Sequence, residues 1–181
     1  MKVKRPARAI ALAVGVAFVA FAVLLASQVN VSPSFKGGKI LGKAVPAFDL
    51  PSLTGGANVR AADLRGKVVL VNFWNSWCIP CQQEHAALSA FYERHRDDGD
   101  VEMIGILRDD TAAAARAYVR SHHDRWTFVT DPTGQASLMF GTTGQPETFM
   151  VAPSGIVVSF LRSQVSVDNL EQMLSVARRS A

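Results

Sequence analysis

The sequence predicts an α/β domain, a central mixed β-sheet flanked by helices, behind an N-terminal transmembrane helix. Three observations carry this. Val68–Trp74 (VVLVNFW) and Val101–Leu107 (VEMIGIL) are nearly continuous apolar, β-rich runs, as suits strands buried on both faces of a sheet. Helical patterns alternate with them. Two further strands around Pro153-Ser154-Gly155 and a closing helix give an order that mixes strand directions.

The elements follow in order. Residues 1–8 hold Lys2, Lys4, Arg5 and Arg8 and no acid. Apart from these four, 15 basic residues face 15 acidic ones, so the net charge of +4 belongs to the tip of the chain and excludes a nucleic-acid footprint. Residues 9–26 (AIALAVGVAFVAFAVLLA) carry no charge; as a helix they would cover about 27 Å, one hydrocarbon core. The run exceeds the roughly 7–15 residues of a cleaved signal core, so an uncleaved anchor is expected. No cysteine follows it to carry a lipid. The basic residues ahead of it place residues 1–8 in the cytoplasm and the rest outside. Residues 27–44, rich in Ser, Gly and Lys, read as a tether. Residues 45–181 are then one domain, large enough for a sound core. The 49% hydrophobic content excludes disorder over most of the chain, and two cysteines exclude a disulfide-stapled miniprotein.

Within the domain, Phe48–Leu50 and Val59–Arg60 read as short strands around Thr54-Gly55-Gly56. A helix from about Cys81 to Arg96 places Leu88, Phe91 and Tyr92 on one side. Asp109-Asp110-Thr111 is expected to cap a helix running to about Ser121. Trp126–Val129 is a strand and Ala136–Phe140 a single helical turn. Thr148–Val151 and Ile156–Leu161 form a hairpin, and Val167–Arg178 the last helix. His95, His122 and His123 read as solvated residues near helix ends.

Both cysteines lie in Trp77-Cys78-Ile79-Pro80-Cys81, between the first buried strand and its helix. Spacing of three puts the two sulfurs on one side of the first helical turn, within bonding reach. The free N–H groups and partial positive charge of a helix N-terminus lower the pKa of the thiol nearest the end, Cys78. Cys81, deeper in the turn, is placed to attack a mixed disulfide formed there. Three other uses of the pair stay open. A structural cross-link gains little from so short a loop. A zinc site would need four ligands, of which His85 would make at most a third. A copper site would need a well-placed histidine as well. The export signal and the strand–C-x-x-C–helix context favour redox chemistry.

Asn72–Leu88 (NFWNSWCIPCQQEHAAL) resembles the active-site segment of extracytoplasmic thioredoxin-like proteins of the TlpA, ResA and CcmG (DsbE) type. Gly141–Val157 (GTTGQPETFMVAPSGIV) resembles the cis-proline region of the same group, above all its G-x-P-E-T-F signature. The resemblance spans about residues 45–175. It implies a thioredoxin-like fold and a membrane-tethered thiol–disulfide oxidoreductase that needs no cofactor or metal. It further implies a reductant of the C-x-x-C-H cysteines of apocytochrome c, itself re-reduced by a membrane electron donor of the CcdA or DsbD type.

The same resemblance assigns residues. Cys78 maps to the attacking thiol and Cys81 to the resolving thiol, the two forming the redox-active disulfide. Glu84 maps to an acid beneath the site that exchanges a proton with Cys81. Gln145-Pro146 maps to the cis-proline position, where the backbone of Gln145 would pair with an extended substrate; Trp77 would shield the disulfide at the same surface. Glu147 would either add charge near the site or face solvent. Asn72 stands where thioredoxin has a buried aspartate, which leaves Glu84 as the nearby acid. Ile79-Pro80 and the glycine-free Leu161–Val167 depart from the pattern and blur the subgroup. Two rival functions are a general oxidase or isomerase of secreted thiols and a copper carrier for oxidase assembly.

Overall fold

The structure, a computed structural model, describes residues 13–21, 23–24 and 40–180. Of the expected apolar span, residues 13–21 and 23–24 are helical, with Val14, Phe18 and Val23 exposed; its remainder, the basic tip and residues 27–39 of the expected tether lie outside the described residues. Among the described residues no helix is long and apolar enough to cross a membrane.

From residue 40 onward the chain is a thioredoxin-like α/β fold. A two-stranded pair, β1 (Asp49–Leu50) and β2 (Val59–Arg60), precedes a 3₁₀ turn at Ala61–Leu64. Then come β3 (Val68–Trp74), α1 (Ile79–His95), β4 (Val101–Leu107), α2 (Ala112–His122) and β5 (Thr127–Thr130). The chain closes with α3 (Gln135–Phe140), β6 (Glu147–Val151), β7 (Val157–Leu161) and α4 (Val167–Arg179). The sheet order is β5-β4-β3-β6-β7. β3, β4 and β5 are parallel; β6 and β7 are antiparallel to their neighbours, which makes the sheet mixed.

β3 is central and buried along its whole length. Its side chains alternate between two cores, as the two-residue period of a strand requires. Val68, Leu70 and Trp74 pack with Leu88 and Phe91 of α1 and Leu170, Met173 and Leu174 of α4. Val69, Val71 and Phe73 pack on the other face with Phe140, Phe149 and Phe160. Asn72 falls between Leu70 and Trp74, so the alternation aims a polar side chain at the α1 face. Its neighbours across the sheet are Thr148 on β6 and Gly105 on β4. A Cβ at Gly105 would stand 2.7 Å from the Phe128 ring and 2.9 Å from Nε1 of Trp74, so glycine is required for these rings to close over it.

Apart from the 3₁₀ turn, which the sequence reading lacks, the elements agree with it except at their ends. α1 begins at Ile79 rather than Cys81 because Cys78 is itself the cap: its sulfur accepts the N–H of Cys81 at 3.1 Å. Pro80 then lies in the first turn, where no N–H is needed. α2 is capped by Thr111 alone, whose hydroxyl accepts the N–H of Ala114 at 3.2 Å. Asp110 turns instead to the active-site loop.

Candidate active site

The strand β3 delivers Asn75–Cys78 to the C-terminal edge of the sheet, and the loop after β4 holds them there. Asp110 accepts from the backbone N–H of Ser76 at 2.8 Å and from its hydroxyl at 2.6 Å. The indole N–H of Trp77 donates to the carbonyl of Asp109 at 3.1 Å. Asp109 adopts a left-handed φ of 52° and its carboxylate pairs with Arg108 at 3.0 Å.

Cys78 and Cys81 form a disulfide with Cα atoms 5.2 Å apart. Both are buried, at 5% and 6% exposure, while Trp77 and Ile79 beside them are 60% and 66% exposed. The disulfide is thus sunk behind an apolar rim. The Gln145–Pro146 bond is cis. A groove of about 510 Å³ has Pro80 on one wall and Gly144, Gln145, Pro146 and Arg162 on the other, bringing the two sequence-distant motifs to one opening. Arg108 braces the far wall, donating to the Thr142 hydroxyl at 3.1 Å and the Gly144 carbonyl at 3.4 Å.

Beneath Cys81 lies Glu84, 1% exposed. One carboxylate oxygen accepts from Asn72 at 2.8 Å and the other from the backbone N–H of Val165 at 3.0 Å. Asn72 also donates to the Thr148 hydroxyl at 3.0 Å. Burial pushes the Glu84 pKa from 4.5 up to about 7, against the two donors that favour the carboxylate. A carboxyl poised near neutrality can take a proton from a thiol and return it.

One open alternative is decided and one sequence expectation is corrected. Glu147 does not face solvent: it is fully buried. Its Oε1 accepts from the Thr143 N–H at 3.1 Å, the Thr143 hydroxyl at 3.0 Å and Nε of Arg162 at 3.0 Å. The reason is register, since Glu147 opens β6 opposite Phe73 in the middle of the sheet. His95 is not solvated either. It is 8% exposed and bridges Asp98 at 2.7 Å and Glu171 of α4 at 3.1 Å, because α4 packs along α1. His122 and His123 are exposed, as expected. Sequence reasoning missed Val165, Arg162 and Asp124. They reach the site from up to 81 residues away in the chain, and no local pattern marks them. Among the described residues no group of three or more His, Cys, Asp or Glu side chains could hold a metal ion.

Comparison with known proteins bears on this geometry. Residues 41–160 match the model of the AhpC/TSA family. The chain is 36% identical over 141 residues to the thiol:disulfide interchange protein DsbE of Pseudomonas fluorescens biotype C, covering 77% of this chain and 76% of that one. It is 28% identical over 134 residues to the thiol-disulfide oxidoreductase ResA of Bacillus thuringiensis subsp. konkukian, covering 74% and 76%. Among solved structures, MTB dsbF in mixed oxidised and reduced forms superposes with a TM-score of 0.64 at 27% identity, covering 71% of this chain and 92% of that one.

Proposed function

The chain belongs to the AhpC/TSA family and is a thiol–disulfide oxidoreductase, and from that premise we propose that it works as a membrane-anchored reductant outside the cytoplasm, acting in c-type cytochrome maturation. The observation that carries the reading is a C-x-x-C disulfide at a helix N-terminus with an acid of pKa about 7 buried beneath it. The reduced protein attacks with the Cys78 thiolate, which the N-terminus of α1 and the N–H of Cys81 stabilise. A mixed disulfide forms and one substrate sulfur leaves as a thiol. Cys81 then gives its proton to Glu84 and attacks Cys78, releasing the second substrate sulfur and closing the Cys78–Cys81 disulfide. Gln145 and Pro146 line the groove in which an extended substrate strand lies, with Pro80 on its other wall, and Trp77 stands exposed beside the disulfide.

The substrate class follows from the resemblance to the CcmG type: the C-x-x-C-H segment of apocytochrome c. A membrane thiol donor of the CcdA or DsbD type restores the dithiol. Residues 9–26 anchor the chain, with residues 1–8 on the cytoplasmic side, residues 27–44 as tether and 45–181 as the catalytic domain.

A trap tests this. Cys81→Ser leaves the mixed disulfide at Cys78 unresolved, and the protein held covalently in cells making c-type cytochromes is identified by mass spectrometry. Apocytochrome c, or a protein of haem attachment, is the expected partner. A broad set of secreted proteins would overturn the reading in favour of a general oxidase. The reduction potential separates the same two cases: about −270 mV suits a reductant and about −120 mV an oxidant.

A further inference from the structure

One buried ion-pairing group near the disulfide has no part in that mechanism. Cys81, Glu84 and His85 share one helix, at spacings of three and four. Both lower residues therefore lie one turn beneath the sulfur, with Cβ atoms about 5–6 Å from that of Cys81. They turn opposite ways. Glu84 goes to Asn72 and Val165, on the β6 side. His85 goes to the segment that α2 and β5 add beyond β4, where its Nε2 lies 2.8 Å from Oδ1 of Asp124.

Asp124 is an unusual partner. Its side chain is 2% exposed, and its second oxygen, Oδ2, is buried without any hydrogen bond. Among the described residues no lysine or arginine pairs with it; His85 is its one counter-group. A buried carboxylate in that position must be compensated by the ring. Donation from Nε2 to Asp124 fixes the tautomer and leaves Nδ1, which makes no hydrogen bond, as the basic nitrogen. The ring itself is 17% exposed, enough to exchange a proton with solvent.

The same ring borders Cys81. A cavity of about 20 Å³, room for one water-sized molecule, is lined by Cys81, His85, Asp124, Asn72, Trp74 and Tyr118. The groups facing His85 come from every element around it. They are Cys81 and Glu84 on its own helix, Tyr118 at 5.7 Å and His122 at 4.5 Å between ring centroids from α2, Asp124 from the turn after α2, and the untitratable Trp126 at 5.8 Å. Burial, then the charges of Asp124 and Glu84, hold the Tyr118 hydroxyl above its usual range, so both carboxylates act on the same small region.

We propose that the His85–Asp124 pair is a second proton acceptor for the Cys81 thiol, acting across this cavity in parallel with Glu84. The proposal rests on the dithiol reading above. In the resolving step the S–H proton of Cys81 passes to Nδ1 of His85. The Cys81 thiolate attacks Cys78, the bond from Cys78 to the substrate sulfur breaks, and the substrate leaves with its electron pair. The imidazolium, stabilised by Asp124, then returns its proton to solvent. His85 and Cys81 both line the cavity across which this proton moves.

The test uses the reduced full chain in detergent with one equivalent of 5,5′-dithiobis(2-nitrobenzoate). The first thiolate released reports attack by Cys78; the second reports resolution by Cys81. His85→Gln should leave the first phase intact. It should slow the second about tenfold at pH 7, less than the roughly 10²–10⁴-fold of a lone general base because Glu84 remains. Between pH 5 and 9 the second-phase profile should differ from the parent's, and Glu84→Gln/His85→Gln should slow it further. Asp124→Asn should slow the second phase in the same way, and it stands as the test if His85→Gln does not fold. An unchanged second-phase profile, or equal slowing of both phases, overturns the proposal. A parent chain that releases no second equivalent overturns instead the dithiol reading beneath it.

Discussion

Glu84 shows what a single residue can and cannot declare in a sequence. Its distance of three from Cys81 marks it as a neighbour of the sulfur, and the family resemblance gives it a role. Nothing local tells how deeply the fold buries it, and burial is what raises its pKa, against the hydrogen bonds from Val165 and Asn72. The sign of the consequence is fixed. A carboxyl whose folded pKa is about 7 and whose ordinary value is 4.5 binds more protons in the folded than in the unfolded state between those values. Folding stability therefore falls as the pH rises through that window, by roughly 3 kcal/mol in full. Glu84→Gln should remove this loss: measured by urea unfolding of the oxidised protein, the variant gains on the parent between pH 4.5 and 8. A parallel pair of curves would refute the raised pKa. Arg162 makes a second residue-scale case. It is half exposed, but its guanidinium is the cation beside the fully buried Glu147. Arg162→Ala should cost about 1–3 kcal/mol in thermal or chemical unfolding, more than a surface pair would, because the carboxylate stays buried. A cost within a few tenths would mean that Thr143 alone compensates Glu147.

Among the elements, β3 and β4 have the bounds their sequences predict. Both are buried over most of their length, and a run of apolar β-branched residues is the direct chemical trace of burial on two faces. The helix starts were less legible because capping depends on which side chain is free to turn back. Asp110 could cap α2 by sequence, but it is committed to Ser76, and a cysteine caps α1. The contact between α1 and α4 was illegible altogether. His95 of α1 reaches Glu171 of α4 and Asp98 of the following turn, and Arg178 of α4 reaches Asp98 and Asp100. Hydrogen bonds from His95 and then Arg178 hold Asp98 below its usual 3.8. Burial raises Glu171, but His95 and Arg94 outweigh it and hold it below 4.5. Depressed carboxylates stabilise the fold above their ordinary values and lose that contribution as the pH falls through the lowered ones. His95→Leu should therefore flatten the loss of stability below about pH 4.5, followed by circular dichroism. Acid unfolding as steep as the parent's would sink this account of the α1–α4 tie.

At the level of the whole domain, the segment before β3 does more than lead into the sheet. Five strands leave two edges, β5 and β7, and an open edge is a template for pairing with another chain. Residues 42–45 run beside β7: Gly42 donates to Val157, Val157 donates to Lys43 and Val45 donates to Gly155, at 2.8–2.9 Å. Residues 51–53 run beside β5, with Leu53 donating to Phe128 at 2.8 Å and Thr130 donating to Pro51 at 2.9 Å. Isolated bridges, Ala44 to Ile156 and Ser52 to Val129, mark the two clamps. Ile40, 5% exposed, pins the first of them into the Phe73–Phe149 core. Neither clamp has a strand-like sequence, because single bridges need no alternation; only the folded sheet gives them partners. A chain beginning at Pro46 keeps the β5 clamp and loses the β7 clamp together with Ile40. Against a chain beginning at Phe35 it should lose about 2 kcal/mol in urea unfolding from the burial of Ile40 alone. Sedimentation should also show concentration-dependent association through the bared β7 edge. If the shortened chain unfolds at the same urea concentration and stays monomeric, residues 40–45 are an ornament of the domain and β7 is protected by its own side chains.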